Sequence, residues 1–125
     1  MTITRIGLVG FGYWGPNLAR NFHATPGADL SAICDANPDR LQKARDLYRA
    51  TTFYDDLDPF LASDVEAIAI ATPARTHYAL ARAALETGKH VFVEKPLAMT
   101  VSEAAELVAI AEGSGLVLMA RVTHS

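Results

Sequence analysis

Apolar residues in this chain follow two alternating rhythms. Short unbroken runs suit strands buried on both faces, and stretches with apolar residues every three or four positions suit amphipathic helices. Strand one is predicted over Thr4 to Val9, followed by a helix from a glycine-rich loop to about His23. Pro26-Gly27 turns the chain into strand two, Asp29 to Cys34. Asn37 before Pro38 reads as the N-cap of a helix reaching Tyr48, with Leu41, Ala44, Leu47 and Tyr48 expected on one face. Thr51 to Tyr54 reads as strand three, Leu57 to Leu61 as a short helix, and Val65 to Ile70 as strand four. A helix from about Thr76 to Thr87 is closed by Gly88, and His90 to Val93 makes strand five. Thr100 and Glu103 have capping-box spacing and open a helix ending near Gly113 to Gly115. Leu116 to Met119 is the expected sixth strand. Strands joined through helices by short loops require parallel pairing. The expected fold is a single α/β domain: a doubly wound, six-stranded parallel sheet of the Rossmann type, order 3-2-1-4-5-6.

One stretch carries chemistry. Gly10-Phe11-Gly12-Tyr13-Trp14-Gly15 follows strand one and precedes a helix, the context that gives a G-x-G-x-x-G loop meaning. Gly10 permits a tight turn off the strand, Gly12 admits a pyrophosphate close to the backbone, and Gly15 lets helix and strand approach. The N–H groups of the first helical turn then face the phosphates, with Pro16 placed where a missing N–H is harmless. Strand two ends at Asp35, twenty residues beyond Gly15, where a dinucleotide site holds the carboxylate for the adenosine ribose. The plainer alternative is that Asp35 caps the helix beginning near Pro38. Arg40 is placed to meet a 2′-phosphate, but Asp35 would repel that group, so NAD is expected over NADP.

Composition narrows the class. A chain of 125 residues forms one domain with a real core. A net charge of −3 argues against a nucleic-acid partner or an anionic membrane surface. No run is long enough to span a bilayer and the N-terminus lacks a leader's layout, so a cytoplasmic location is expected. The single cysteine, Cys34, lies in an apolar run and reads as a small core residue. No spacing supports a metal site, a Ser-His-Asp triad or a Walker loop.

The glycine loop, the strand end at Asp35, Ala71-Thr72-Pro73 with His77, and Glu94-Lys95-Pro96-Leu97-Ala98 together resemble the amino-terminal half of the glucose–fructose oxidoreductase and inositol dehydrogenase family, Gfo/Idh/MocA. Gly12-Tyr13-Trp14-Gly15-Pro16-Asn17 looks like the branch acting on nucleotide-linked amino-sugar acids. The resemblance covers residues 1–119, leaving 120–125 as a tail that departs from the family's usual Gly-His pair. It implies that Glu94 and Lys95 reach the nicotinamide ribose and that Lys95 also contacts the reacting hydroxyl, making Lys95 the catalytic candidate and Glu94 its support. Thr72 and Pro73 lie at a strand end, where open α/β sheets bind ligands. His77 either lines the nicotinamide end or sits on an exposed helix. Tyr13 and Trp14 either cover the pyrophosphate, pack on neighbouring loops or face a second domain. Family members continue into a substrate domain, which is expected to be absent here. A sugar-type substrate is therefore expected only with that domain, and little turnover without it. Apolar side chains around Leu97, Met99 and Met119 would then be exposed, and a homodimer is a possible result.

Two classes of function remain open at this point. One is the cofactor-binding half of a sugar or nucleotide-sugar dehydrogenase; the other is a stand-alone NAD-binding or redox-sensing module without catalysis. A pure binding module has no need of Glu94-Lys95, and a methyltransferase would leave Glu94-Lys95-Pro96 unexplained.

Overall fold

The structure, a computed structural model, describes residues 2–121. In chain order it runs β1 (Thr4–Val9), α1 (Gly15–Ala24), β2 (Ala28–Cys34), α2 (Pro38–Leu47), β3 (Thr52–Tyr54), α3 (Leu57–Leu61) and β4 (Ala67–Ile70). A single 3-10 turn, Ala74–Thr76, leads into α4 (His77–Glu86), followed by β5 (His90–Glu94), α5 (Val101–Ser114) and β6 (Leu118–Arg121). The six strands form one parallel sheet in the order β3-β2-β1-β4-β5-β6, as the alternation of periods requires.

Alternate strand residues serve opposite faces, and two cores result. Leu8, Ile33 and Ala69 meet Leu18 and Ala19 of α1 and Leu41 and Ala44 of α2. Val9, Ile70 and Val93 meet Phe60 of α3, Ala81, Ala84 and Leu85 of α4, and Leu107 and Ala111 of α5. α4 and α5 are also joined at the surface, where the Tyr78 hydroxyl and Arg82 guanidinium both donate to the Glu106 carboxylate.

Three sequence expectations shift for physical reasons. Leu47 is 65% exposed, although Leu41 and Ala44 are buried. At about 100° per residue, Tyr48 returns to the Leu41 direction while Leu47 falls about 120° away. Tyr48 accordingly packs its ring against Phe11, edge on at 6.4 Å. β6 begins at Leu118 rather than Leu116. Leu116 is used to end α5: its N–H donates to the Ala111 carbonyl and its side chain packs on the core, the closing contact of a Schellman turn. The expected strand over Val65 to Ile70 starts at Ala67, since Glu66 is occupied with the Arg5 backbone through its N–H and its carboxylate. Residues 122–125 of the expected tail lie outside the described residues.

Candidate cofactor site

Strand register assembles the site. Val9 stands opposite Cys34 on one side and Ile70 on the other, and Ile70 stands opposite Val93. The residues after this row, Gly10, Asp35, Ala71 and Glu94, therefore emerge together at the carboxyl edge of the sheet. Strand order reverses between β1 and β4, where a crevice opens between the helices on the two faces. A cavity of about 650 Å³ occupies that crevice, within the range of cofactor pockets.

The glycine loop forms the floor. Gly10 has φ +98°, and a Cβ there would lie 2.8 Å from the Ala71 carbonyl oxygen. A Cβ on Gly15 would lie 2.0 Å from the Gly10 carbonyl oxygen, so α1 starts closer to β1 than any side chain permits. No side chain caps α1, and the positive end of its dipole is open toward the cavity side. Gly12, Tyr13 and Trp14 line the cavity; Tyr13 is exposed and meets Trp14 edge on at 4.8 Å. Phe11 does not line it. Its ring is a core side chain, and its contribution is its backbone N–H.

Asp35 receives that N–H. One carboxylate oxygen accepts from Phe11 N at 2.8 Å and the other from Asn37 N at 2.8 Å. The helix-cap alternative thereby resolves: Asn37 caps α2, its side chain accepting from Asp39 and Arg40 N–H groups. Asp35 is buried yet lines the cavity, and each of its carboxylate oxygens has capacity to accept beyond these two bonds. Beside it Arg40 reaches back over the glycine loop, its guanidinium 3.2 Å from where a Gly12 Cβ would sit.

At the other end stand Thr72, Pro73, His77, Glu94 and Lys95, all lining the same cavity. Glu94 is buried and Lys95 exposed; the Lys95–Pro96 peptide is cis. The Thr72 and Thr76 hydroxyls are 2.6 Å apart, and Thr76 donates to the Pro73 carbonyl at 2.6 Å, which ties the loop after β4 to the start of α4. His77 is not on an exposed face. It is 3% exposed, with Nδ1 2.7 Å from the Pro96 carbonyl oxygen and Nε2 2.9 Å from the Thr72 carbonyl oxygen. The signal was available: His77, Ala81, Ala84 and Leu85 form one buried stripe of α4.

The expected residues thus gather in one cavity except Phe11 and Gly15, which shape it from behind. Asp55 and Leu57 after β3 also line it and were missed; the rule that ligands lie beyond strand ends applies to β3 as well. Cys34 lines the cavity wall, its thiol pushed up to about 11 by burial and by the neighbouring Asp35 carboxylate, which makes it unreactive at neutral pH. No helix among the described residues is long and apolar enough to cross a membrane. A glycine loop at a helix start, a carboxylate to one side of it and a lysine to the other thus line one cavity.

Comparison with known proteins agrees. Residues 4–122 match the family model described as the GFO_IDH_MocA oxidoreductase family, NAD-binding Rossmann fold. An uncharacterized oxidoreductase, YdgJ of Escherichia coli K12, is 40% identical over 119 residues, covering 91% of this chain and 33% of its own length. A glycosyl hydrolase family 109 protein of Shewanella amazonensis is 37% identical over 122 residues, covering 90% of this chain and 27% of its own length. The chain thus spans about a third of the length of the curated relatives it matches. Scyllo-inositol dehydrogenase of Lactobacillus casei, solved with NAD(H) and scyllo-inositol, superposes with a TM-score of 0.88 at 26% identity, covering 95% of this chain and 36% of that one.

Proposed function

The chain belongs to the Gfo/Idh/MocA oxidoreductase family, whose NAD-binding Rossmann fold it forms, and on that footing we propose that it is the cofactor-holding part of a dehydrogenase acting on a hydroxyl of a sugar or cyclic polyol, nucleotide-linked sugars included. One observation carries the reading. Asp35 and Glu94-Lys95 line opposite ends of a single cavity with the glycine loop between them, the span from adenosine ribose to nicotinamide. Bound NAD supplies the hydride acceptor. The chain's own residues supply placement. Asp35 orients the ribose, the Gly12 backbone and the open end of α1 take the pyrophosphate, and Thr72, Pro73 and Glu94 border the nicotinamide. Lys95 places an ammonium where the substrate oxygen changes its proton, stabilising oxyanion character as hydride leaves the carbon.

Support for the substrate class comes from the inositol dehydrogenase neighbour, which holds a cyclic polyol and the same cofactor. Polyhydroxylated rings need many oriented hydrogen-bond partners, and the exposed Lys95 and Tyr13 are polar groups at the mouth. The Shewanella relative favours a second reading, in which the whole protein cleaves a glycoside. Titration with NAD and NADP tests the cofactor assignment. Incubation of the chain with inositols and nucleotide-sugar acids tests the reaction: NADH formation by the chain alone is expected near background. Strong NADH production independent of Lys95 overturns its role, and sugar release without net NADH favours the hydrolase reading.

A further inference from the structure

The adenosine end of the cavity holds more than a ribose carboxylate. β3 pairs with β2 so that Tyr54 stands opposite Cys34, and the Asp35 N–H donates to the Tyr54 carbonyl at 3.0 Å. Asp55, the next residue after Tyr54, therefore stands beside Asp35 and one strand further from the glycine loop, about 4.8 Å in a parallel sheet. Both carboxylate residues line the cavity. Cys34 and Ile70 line it from the sheet, Leu57 from α3 and Leu80 from α4. Such an apolar wall suits a flat aromatic ring.

The fold itself gives Asp55 no task. Its carboxylate is exposed and has no hydrogen-bond or ion-pair partner among the described residues. The N-cap position of α3 belongs to Asp56. What an adenine brings to this end is an exocyclic amino group, which donates. Arg40, which also lines this end, only donates, and Asp35 already accepts from the Phe11 and Asn37 N–H groups. Asp55 is the acceptor left over.

We infer that Asp55 reads the base of the cofactor, its carboxylate accepting a hydrogen bond from the adenine amino group, and so selects adenine over purines that carry a carbonyl at that carbon. It is a specificity-determining residue, not a catalytic one. The inference rests on the proposed placement of the adenosine ribose at Asp35. A base hangs from its ribose on the side away from the pyrophosphate, which here is the side of β3 and the apolar wall. A hypoxanthine in the same place would set its carbonyl oxygen against the carboxylate, acceptor against acceptor. Water reaches Asp55, which keeps the discrimination moderate.

The test titrates two ligand pairs against the 125-residue chain. One pair is NAD and its hypoxanthine analogue, in which a carbonyl replaces the amino group. The other is AMP and IMP, which differ in the same way and carry no nicotinamide. The parent is expected to prefer NAD and AMP by about tenfold each, equivalent to about 1.4 kcal/mol. Asp55→Ala is expected to bind both members of each pair alike. Asp55→Asn, whose amide can turn its N–H toward a carbonyl, should also lose the preference. Thermal melts of both variants should match the parent, because the side chain they change is exposed and unpaired. Full preference retained in Asp55→Ala overturns the role of Asp55, as does a parent that binds NAD without preferring it. If the AMP preference depends on Asp55 while NAD binds no better than AMP, the base reading stands and the nicotinamide end of the proposed function fails. A parent that binds neither pair refutes the adenosine placement and the role of Asp55 with it.

Discussion

Replacing Asp35 with alanine should damage folding and cofactor selection together, by separable amounts. The buried carboxylate takes two backbone N–H groups, from Phe11 and Asn37, each at 2.8 Å. Asn37 is exposed, so water replaces the lost partner there. Phe11 is 4% exposed, and its N–H would be left buried and unpaired. A hydrogen bond to a charged group contributes about 1.5–3 kcal/mol, so stability should fall by about that much through the Phe11 bond alone. The ribose hydroxyls lose their acceptor as well. A loss of about 1.5–3 kcal/mol in binding corresponds to NAD weakened by about tenfold to about 150-fold. NADP should lose less, because the carboxylate that repels its 2′-phosphate is gone. Urea denaturation reads the first quantity and calorimetric titration at low temperature, where the variant stays folded, reads the second. Asp35→Asn is a second arm: its amide oxygen accepts one N–H, but its NH₂ confronts the other donor, so it should also be less stable than the parent. A variant as stable as the parent would refute the clasp between β2 and the glycine loop. Equal affinity of the parent for NAD and NADP would refute the selective role of Asp35.

Three further outcomes are expected. Gly12→Val should keep its fold and lose NAD binding, since a Cβ there meets only the movable end of Arg40 at 3.2 Å while the side chain fills the pyrophosphate floor; normal NAD affinity in the folded variant would reduce the loop to a turn. Cys34, raised from 9.0 to about 11, should resist thiol reagents in the native chain at neutral pH and react on unfolding. Because the folded state disfavours its thiolate, this residue's stabilisation is complete below pH 9.0 and declines as pH rises to about 11, and a Cys34→Ala variant should show a smaller loss of stability across that window. Met99, in the loop before α5, is 63% exposed and Met119 of β6 is 53% exposed, whereas Leu97 packs on the core. The outer edge of β6, which carries the exposed Met119, should pair copies of the chain, so sedimentation at micromolar concentration should detect a dimer, and a clean monomer would refute the pairing.

Local chemistry makes much of this protein legible in its sequence alone. Period determines which face of an element is apolar, and glycine or proline determines where it must stop. The order of elements, the parallel sheet and the gathering of Gly10, Asp35, Thr72 and Glu94 at one edge all follow from such near-neighbour rules. They follow because parallel strands of matched register end together. Residues whose role depends on a partner far along the chain are not legible in this way. Gly7 lies within a plain apolar run, yet a Cβ there would stand 2.8 Å from the Phe60 ring, so its smallness makes room for α3. Phe11 sits inside the glycine loop but belongs to the core with Tyr48, while Leu47 next door points to solvent. His77 reads as a polar residue at a helix start until the Thr72 and Pro96 carbonyls are found on either side of its ring. Spacing along a chain specifies direction within an element; only packing between elements specifies what each side chain meets.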